Sequence, residues 1–210
     1  MKTNISVFVR NETQYHIVKK YNITDIYTDQ LSLAQKYPEI YYQMPRTNTK
    51  KSSLPNRLLV NNTGVMMKQQ GKKEMIGDYF LNIANIATIK LFSQYVSKMT
   101  LSIEYPKDEI NLLKEYASEI EVFLYGRVEV MLLKSHPIFT KNGYELKDNE
   151  GHFYPVRVKG EKHVHIFHYE PLNRLSDLVE YQREGITNFR IDFFDETPEE
   201  IEAILSQVTE

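Results

Sequence analysis

The sequence contains no cysteine and no tryptophan among its 210 residues. The missing thiols exclude disulfides, thiolate nucleophiles, Cys-ligated iron–sulfur clusters and Cys-type zinc sites. No run approaches the roughly 20 apolar residues that would cross a bilayer, and Met1 to Val9 is too short for a signal peptide. The expectation is therefore a cytoplasmic chain with no membrane partner. There is no P-loop, G-x-G-x-x-G, G-x-S-x-G or H-E-x-x-H. Nucleotide-binding loops, a serine nucleophile elbow and a zincin-type metalloprotease all lack their signatures. No cofactor and no metal is expected.

What is present is ordinary for a globular chain: 41% hydrophobic residues, 26% charged, and a net charge of −2. The charge is unevenly spread. Residues 1–75 hold 12 Lys/Arg against 5 Asp/Glu, and residues 76–210 hold 14 against 23. From Arg46 to Lys73 there is no acid, while Arg46, Lys50, Lys51, Arg57, Lys68, Lys72 and Lys73 are basic. Such a run suits phosphate, RNA included, or simply a solvated face.

Short β-branched or aromatic runs alternate with amphipathic stretches. Strands are expected at Ile5–Val9, Asp25–Thr28, Glu39–Met44, Arg57–Asn61, Glu74–Tyr79, Met99–Ile103, Ile120–Tyr125 and Asn188–Phe193. Helices are expected over Glu12–Tyr21 with Asn11 as N-cap, Leu31–Tyr37, Asn82–Tyr95, Lys107–Ala117, Pro171–Arg183 and Pro198–Val208. Eight β-then-α units in order imply an α/β fold, a compact (β/α)8 TIM-type barrel. An open doubly wound sheet is the alternative. Helices after the third and fourth strands are expected to be short or missing. An irregular, β-rich insertion over 134–169 is expected to interrupt a single domain spanning 1–210.

Active-site groups of such barrels lie at the C-terminal ends of the strands. The polar residues so placed are Arg10, Asp29, Arg46, Asn61, Asp78, Asn82, Glu104, Tyr125, Arg127 and Asp192. Arg10, Arg46 and Arg127 suit an anionic ligand. Glu104 and Asp78 suit acid–base work if burial raises one pKa. Arg190 and Asp192 share one strand face and are expected to form an ion pair. His163, His165 and His168 form H-x-H-x-x-H, with His136 and His152 nearby. On a strand His163 and His165 point the same way, which would suit a metal, but the spacing is not a zinc signature and a surface strand with incidental histidines is the favoured reading.

Four stretches resemble peptidase family U32, the collagenase-like proteases. Asp78-Tyr-Phe-Leu-Asn-Ile-Ala-Asn85 is similar to D-Y-S-L-N-x-x-N, and Leu101-Ser-Ile-Glu104 to L-S-P-E. Tyr125-Gly-Arg127, Met131 and His136-Pro-Ile138 are similar to Y-G-R/H-G-R, M and C-P-I. Tyr154-Pro-Val156, Pro171-Leu172, Asp177, Arg190-Ile-Asp-Phe193 and Glu196 are similar to F-P-V, P-L, D and R-I-D-F-T-x-E. The resemblance covers residues 74–205 and implies a TIM-type barrel and a peptidase (hydrolase) of unassigned catalytic type. Other family members are linked to RNA modification through a cysteine-held cluster. Here His136 stands at the cysteine position of C-P-I, so the cluster-dependent chemistry is not implied for this chain alone.

The candidate catalytic residues are thus Glu104, Arg127 and Asp78. The candidate ligand-binding residues are Arg10, Arg46, Asn82, Tyr125, His136 and Asp192. The ligand is expected to be a peptide or RNA. A homodimer, or a cysteine-bearing partner domain with this barrel as a non-catalytic scaffold, is the further alternative.

Overall fold

The computed structural model describes residues 3–46, 53–134, 143–159 and 163–209. Eight parallel strands close on themselves. They are β1 (Asn4–Phe8), β2 (Asp25–Thr28), β3 (Tyr41–Gln43), β4 (Arg57–Val60), β5 (Glu74–Gly77), β6 (Lys98–Thr100), β7 (Ile120–Gly126) and, after an excursion, β13 (Asn188–Asp192). Their order around the ring is β7-β13-β1-β2-β3-β4-β5-β6, and β6 pairs back to β7. The expected TIM-type barrel is therefore present, and the open sheet is excluded by closure.

The strand sequences explain the ring. Each strand carries apolar residues on the face that meets the helices, as with Val7, Leu58, Met75 and Ile191, all 3% exposed or less. Full burial of one such side chain stabilises by roughly 1.5–3 kcal/mol. The alternate positions face inward, where Phe8, Tyr27, Tyr41, Leu59 and Ile76 form one buried cluster. Other inward positions are polar, and these build the site described below.

The helices are mostly short, and the one after β4 is short as expected. They are α1 (Glu12–Val18), α2 (Leu31–Lys36), α3 (Thr63–Gln69), α4 (Ile86–Phe92), α5 (Leu178–Arg183) and α6 (Pro198–Thr209). Among the described residues no helix follows β3. Asparagine caps start three of the helices: Asn11 accepts from the Gln14 N–H at 2.9 Å, Asn62 from Val65 at 3.2 Å and Asn85 from Thr88 at 2.9 Å.

Three expected helices differ. The one expected from Asn82 starts at Ile86, because Asn82 turns left-handed (φ 53°) to end a 3-10 turn over Tyr79–Leu81. Residues Lys107–Tyr116 wind as a 3-10 helix rather than an α-helix. The stretch from Pro171 opens with β12 (Leu172–Asn173) and a 3-10 turn at Leu175–Asp177 before α5 begins.

The chain divides into two compact units, Met1–Leu124 with Arg174–Glu210, and Tyr125–Asn173. The expected insertion at 134–169 falls inside the second. That unit is a four-stranded antiparallel sheet, β8 (Glu129–Lys134), β9 (Tyr144–Lys147), β10 (Phe153–Lys159) and β11 (His163–Phe167), in the order β8-β11-β10-β9. Its core is Val156, Val164 and Ile166, flanked by Leu133, Leu146, Tyr154 and Val158. No described helix is long and apolar enough to cross a membrane.

Candidate functional site

The polar inward residues fall into two charge clusters, one toward each end of the barrel. At the C-terminal end, Arg190 on β13 is fully buried. Its Nε and Nη2 donate to the two oxygens of Asp192 at 2.6 and 2.9 Å. Its Nη1 donates to Asp78 Oδ1 at 3.0 Å and to Thr100 Oγ1 at 3.2 Å. Asp78 follows β5, so this contact spans the barrel interior between residues 112 positions apart. The other Asp78 oxygen accepts from Gln43 Nε2 at 2.7 Å. The Arg190 guanidinium lies 5.1–5.9 Å from the rings of Phe8, Tyr27, Tyr79 and Phe123. These faces favour a cation. Nearby, Arg10 pairs with Asp29 at 2.8 Å and lies about 5 Å from the rings of Phe8 and Phe194.

Toward the N-terminal end, Lys98 on β6 pairs with Asp25 on β2 at 2.7 Å and Glu121 on β7 at 3.0 Å. Ser6 Oγ accepts from its Nζ at 2.8 Å. Glu121 also accepts from Thr100 Oγ1 at 2.8 Å and from the Tyr27 hydroxyl at 3.1 Å. The Thr100 hydroxyl thus donates to one cluster and accepts from the other.

One carboxyl of each cluster is shifted, Asp192 and Glu121, in opposite directions. Burial raises the Asp192 pKa above the ordinary aspartate value, and the Arg190 charge does not cancel it because the Asp78 charge adds to the rise. Burial would also raise Glu121, but the charges of Lys98 and Arg190 outweigh it and hold that carboxyl low. Burial would lower Lys98, yet Glu121, Tyr27 and Asp25 keep it well above the ordinary lysine value.

Of the candidate residues, the structure brings Asp78 and Asp192 together on Arg190, with Arg10 at the end of β1 in the same group of strand ends. Glu104 is not part of this cluster. It lies exposed in a turn beyond β6, where its N–H donates to Ser102 Oγ at 3.3 Å. Arg127 belongs to the second unit, where its Nη1 donates to the carbonyls of His168 and Tyr169 at 2.9 and 2.5 Å. There it ties the chain to the backbone before β12. Asn82 is exposed and serves the turn described above. Tyr125, in β7, is half-buried and pairs with Asn173. Arg46 is exposed, its guanidinium 4.4 Å from the Phe80 ring. His136, like Lys50 and Lys51 of the basic run, lies outside the described residues.

Sequence reasoning missed Lys98, Glu121, Thr100 and Gln43. A signal existed: each is a polar residue at an inward, alternate position of its strand. It also missed that Glu129 reaches His165 Nδ1 at 2.6 Å, across the β8–β11 ladder. Within the second unit, one ligand atom each of Asp148, Glu150 and His152 lie within 4.8 Å of one another. Asp148 also accepts the N–H groups of Glu150 and His152 at 2.9 and 3.0 Å, so hydrogen bonding within the turn already accounts for their proximity.

The family-like motifs prove to be joints of the fold. Besides Asp78, the first supplies Asn82 to a turn and Asn85 to the α4 cap. In the second, the Ile103 carbonyl accepts from Arg174 at 2.8 Å. In the last, Asp177 pairs with Lys107 at 2.8 Å, and Glu196 accepts the Phe194 N–H at 2.5 Å.

No family model matches this sequence, and no curated protein matches it. Among solved structures, the chain is similar to the spore cortex-lytic enzyme SleL of Bacillus cereus. The identity is 7% and the TM-score 0.48, over 100% of this chain and 75% of that one. It is also similar to SleL of Bacillus megaterium QM B1551, at 9% identity and a TM-score of 0.42, over 100% and 74%.

Proposed function

We propose that the chain is a peptidase-like barrel of the U32 kind that takes a peptide at the C-terminal end of its strands. The observation that carries this reading is the Asp78–Arg190–Asp192 cluster. Its members come from the first and last of the family-like motifs and meet where barrels of this class place their chemistry. In this reading Asp192, the more exposed of the two carboxylates, touches the ligand, and Arg190, Asp78 and Gln43 position it. Arg10, close by, attracts the peptide's carboxylate. Glu104 and Arg127 drop out of the catalytic set. A carboxyl that burial holds above its ordinary pKa is a group suited to proton transfer in amide hydrolysis.

The test is digestion of a defined peptide mixture by the purified full chain, read by mass spectrometry. Turnover should fall at least tenfold in Asp192→Asn and stay unchanged in Glu104→Gln. Absence of any cleavage or peptide binding ends the reading.

A second reading, RNA binding, is favoured by the exposed Lys68 and Lys72 in and after α3. It requires RNA affinity that falls steeply with salt and weakens in a Lys68→Glu, Lys72→Glu variant. No binding at low salt removes it.

A further inference from the structure

The side-chain oxygen of Asn61 is buried at the C-terminal end of the barrel and accepts from no donor among the described residues. Its place follows from register. Leu59 on β4 and Ile76 on β5 are paired and face inward. Side chains alternate along a strand, so the next inward pair is Asn61 and Asp78. The Asp78 N–H donates to the Val60 carbonyl at 2.8 Å, which carries the ladder to that level. Asn61, 9% exposed, therefore stands beside Asp78 in one inward layer.

Its amide has one sensible orientation. Asn61 Nδ2 donates to the Met44 carbonyl, just after β3. The reverse orientation would set two oxygens against each other, so Oδ1 is the atom left over. A buried acceptor without a donor is costly, and a donor that arrives recovers the cost. The way in is past Arg46, after β3, and Phe80, after β5, which meet at 4.4 Å beyond the end of β4. Arg46 is exposed, so swinging it aside disturbs no core packing.

We propose that Asn61 is a specificity-determining residue of the barrel mouth, its Oδ1 accepting a neutral hydrogen-bond donor from the ligand. Charge selects the class of donor. The described charged residues at the ends of β3, β4 and β5 are Arg46 and Asp78, one of each sign. Asp78 already holds Arg190 and Gln43. A cationic donor would pass Arg46 and gain no carboxylate of its own, whereas a neutral amide meets no such opposition. Resting on the peptidase reading, the donor is a backbone N–H of the bound peptide.

Four small probes test this on the 15N-labelled full chain by nuclear magnetic resonance. N-methylacetamide is a single peptide group with an N–H. Methyl acetate has the same shape and no donor. Ethanol and methylammonium offer a hydroxyl and a cation. The Asn61 side-chain amide signals should move with N-methylacetamide and at least threefold less with methyl acetate at equal concentration. In Asn61→Ala the amide–ester difference should vanish at the backbone N–H signals of Met44 and Asp78. Should that variant not fold, the comparison in the unmodified chain decides. No movement with N-methylacetamide, as for an oxygen that binds a resident water only, overturns the proposal. Equal movement with methyl acetate does the same. A larger response to ethanol or methylammonium overturns the amide assignment. None of these measurements needs cleavage. The full pattern in a chain that neither binds nor cleaves peptides upholds the donor site and removes only the peptidase reading. Peptide cleavage without the amide response removes only the role of Asn61.

Discussion

The two ends of the barrel interior solve one problem in different ways. Each places a single cation between two carboxylates: Arg190 between Asp78 and Asp192, Lys98 between Asp25 and Glu121. At the Lys98 end both carboxylates are supported. Glu121 takes hydroxyl donors from Tyr27 and Thr100 and feels Arg190 as well, and the Asp25 side chain is 16% exposed, so water shares its charge. At the Arg190 end, among the described residues, the only neutral donor to either carboxylate is Gln43, and both side chains are nearly closed to water. The Lys98 cluster is a brace across opposite strands. The Arg190 cluster retains an electrostatic tension that chemistry can use.

The largest effect should come from removing the shared cation. Arg190→Met leaves Asp78 and Asp192 without a partner, and breaking a buried ion pair from one side costs about 3–5 kcal/mol. Denaturant unfolding measures it. Lys98→Met should cost less, because Asp25 can turn to solvent. Equal losses would remove the distinction between the two ends.

The pH dependence of stability should separate them by sign. Glu121 is held below the ordinary carboxylate value of about 4. Its contribution is full above that value and disappears as pH falls through the lower, folded one. Asp192 is held above the ordinary value, so its contribution is full below about 4 and fades as pH rises through the folded value. Glu121→Gln should therefore weaken the protein most at neutral pH, with the deficit closing in acid. Asp192→Asn should gain on the unmodified chain as pH rises from about 4 toward 7. Unfolding curves at several pH values check both, and parallel profiles for the two variants would contradict the contrast.

Much of this barrel is legible in the sequence. The strand Asp25–Thr28 coincides with its expected span, and Asn11 caps α1 as expected, because β-branched runs and asparagine caps act locally. The 3-10 winding of Lys107–Tyr116 was not legible, since its apolar spacing at Ile110 and Leu113 suits either helix. At the site, the Arg190–Asp192 pair was readable from alternation within one strand. The Asp78 contact was not, because only ring closure brings β5 and β13 together. Glu104 and Arg127 misled because polar residues near strand ends also hold turns and backbone carbonyls, and sequence alone does not separate those uses. Lys98 was read as lying just before its strand, although it is the strand's first inward residue.

Thr100→Val should rank next in size. Its hydroxyl is the link between the clusters, donating to Glu121 at 2.8 Å and accepting from Arg190 at 3.2 Å. Hydrogen bonds to charged groups contribute roughly 1.5–3 kcal/mol, so a loss in that range is expected from the near-isosteric swap. Arg190 keeps its hydrogen bonds to Asp78 and Asp192, so the rise of the Asp192 carboxyl should be almost unchanged.

The smallest expected effect is also the sharpest probe. Tyr27→Phe keeps the ring against Arg190 and removes only the hydroxyl that reaches Glu121 at 3.1 and 3.3 Å. Those distances are long, so the loss should be about 1 kcal/mol. The informative readout is the direction in which Glu121 moves. With one donor gone its folded pKa should rise toward the ordinary value, bringing the Lys98 end closer to the state of the Arg190 end. The acid limb of the stability profile should flatten accordingly. If Tyr27→Phe leaves that limb unmoved while Thr100→Val shifts it, the Thr100 hydroxyl and the two cations suffice to keep Glu121 ionised. The contrast between the ends would then rest on charge count and water access rather than on the tyrosine.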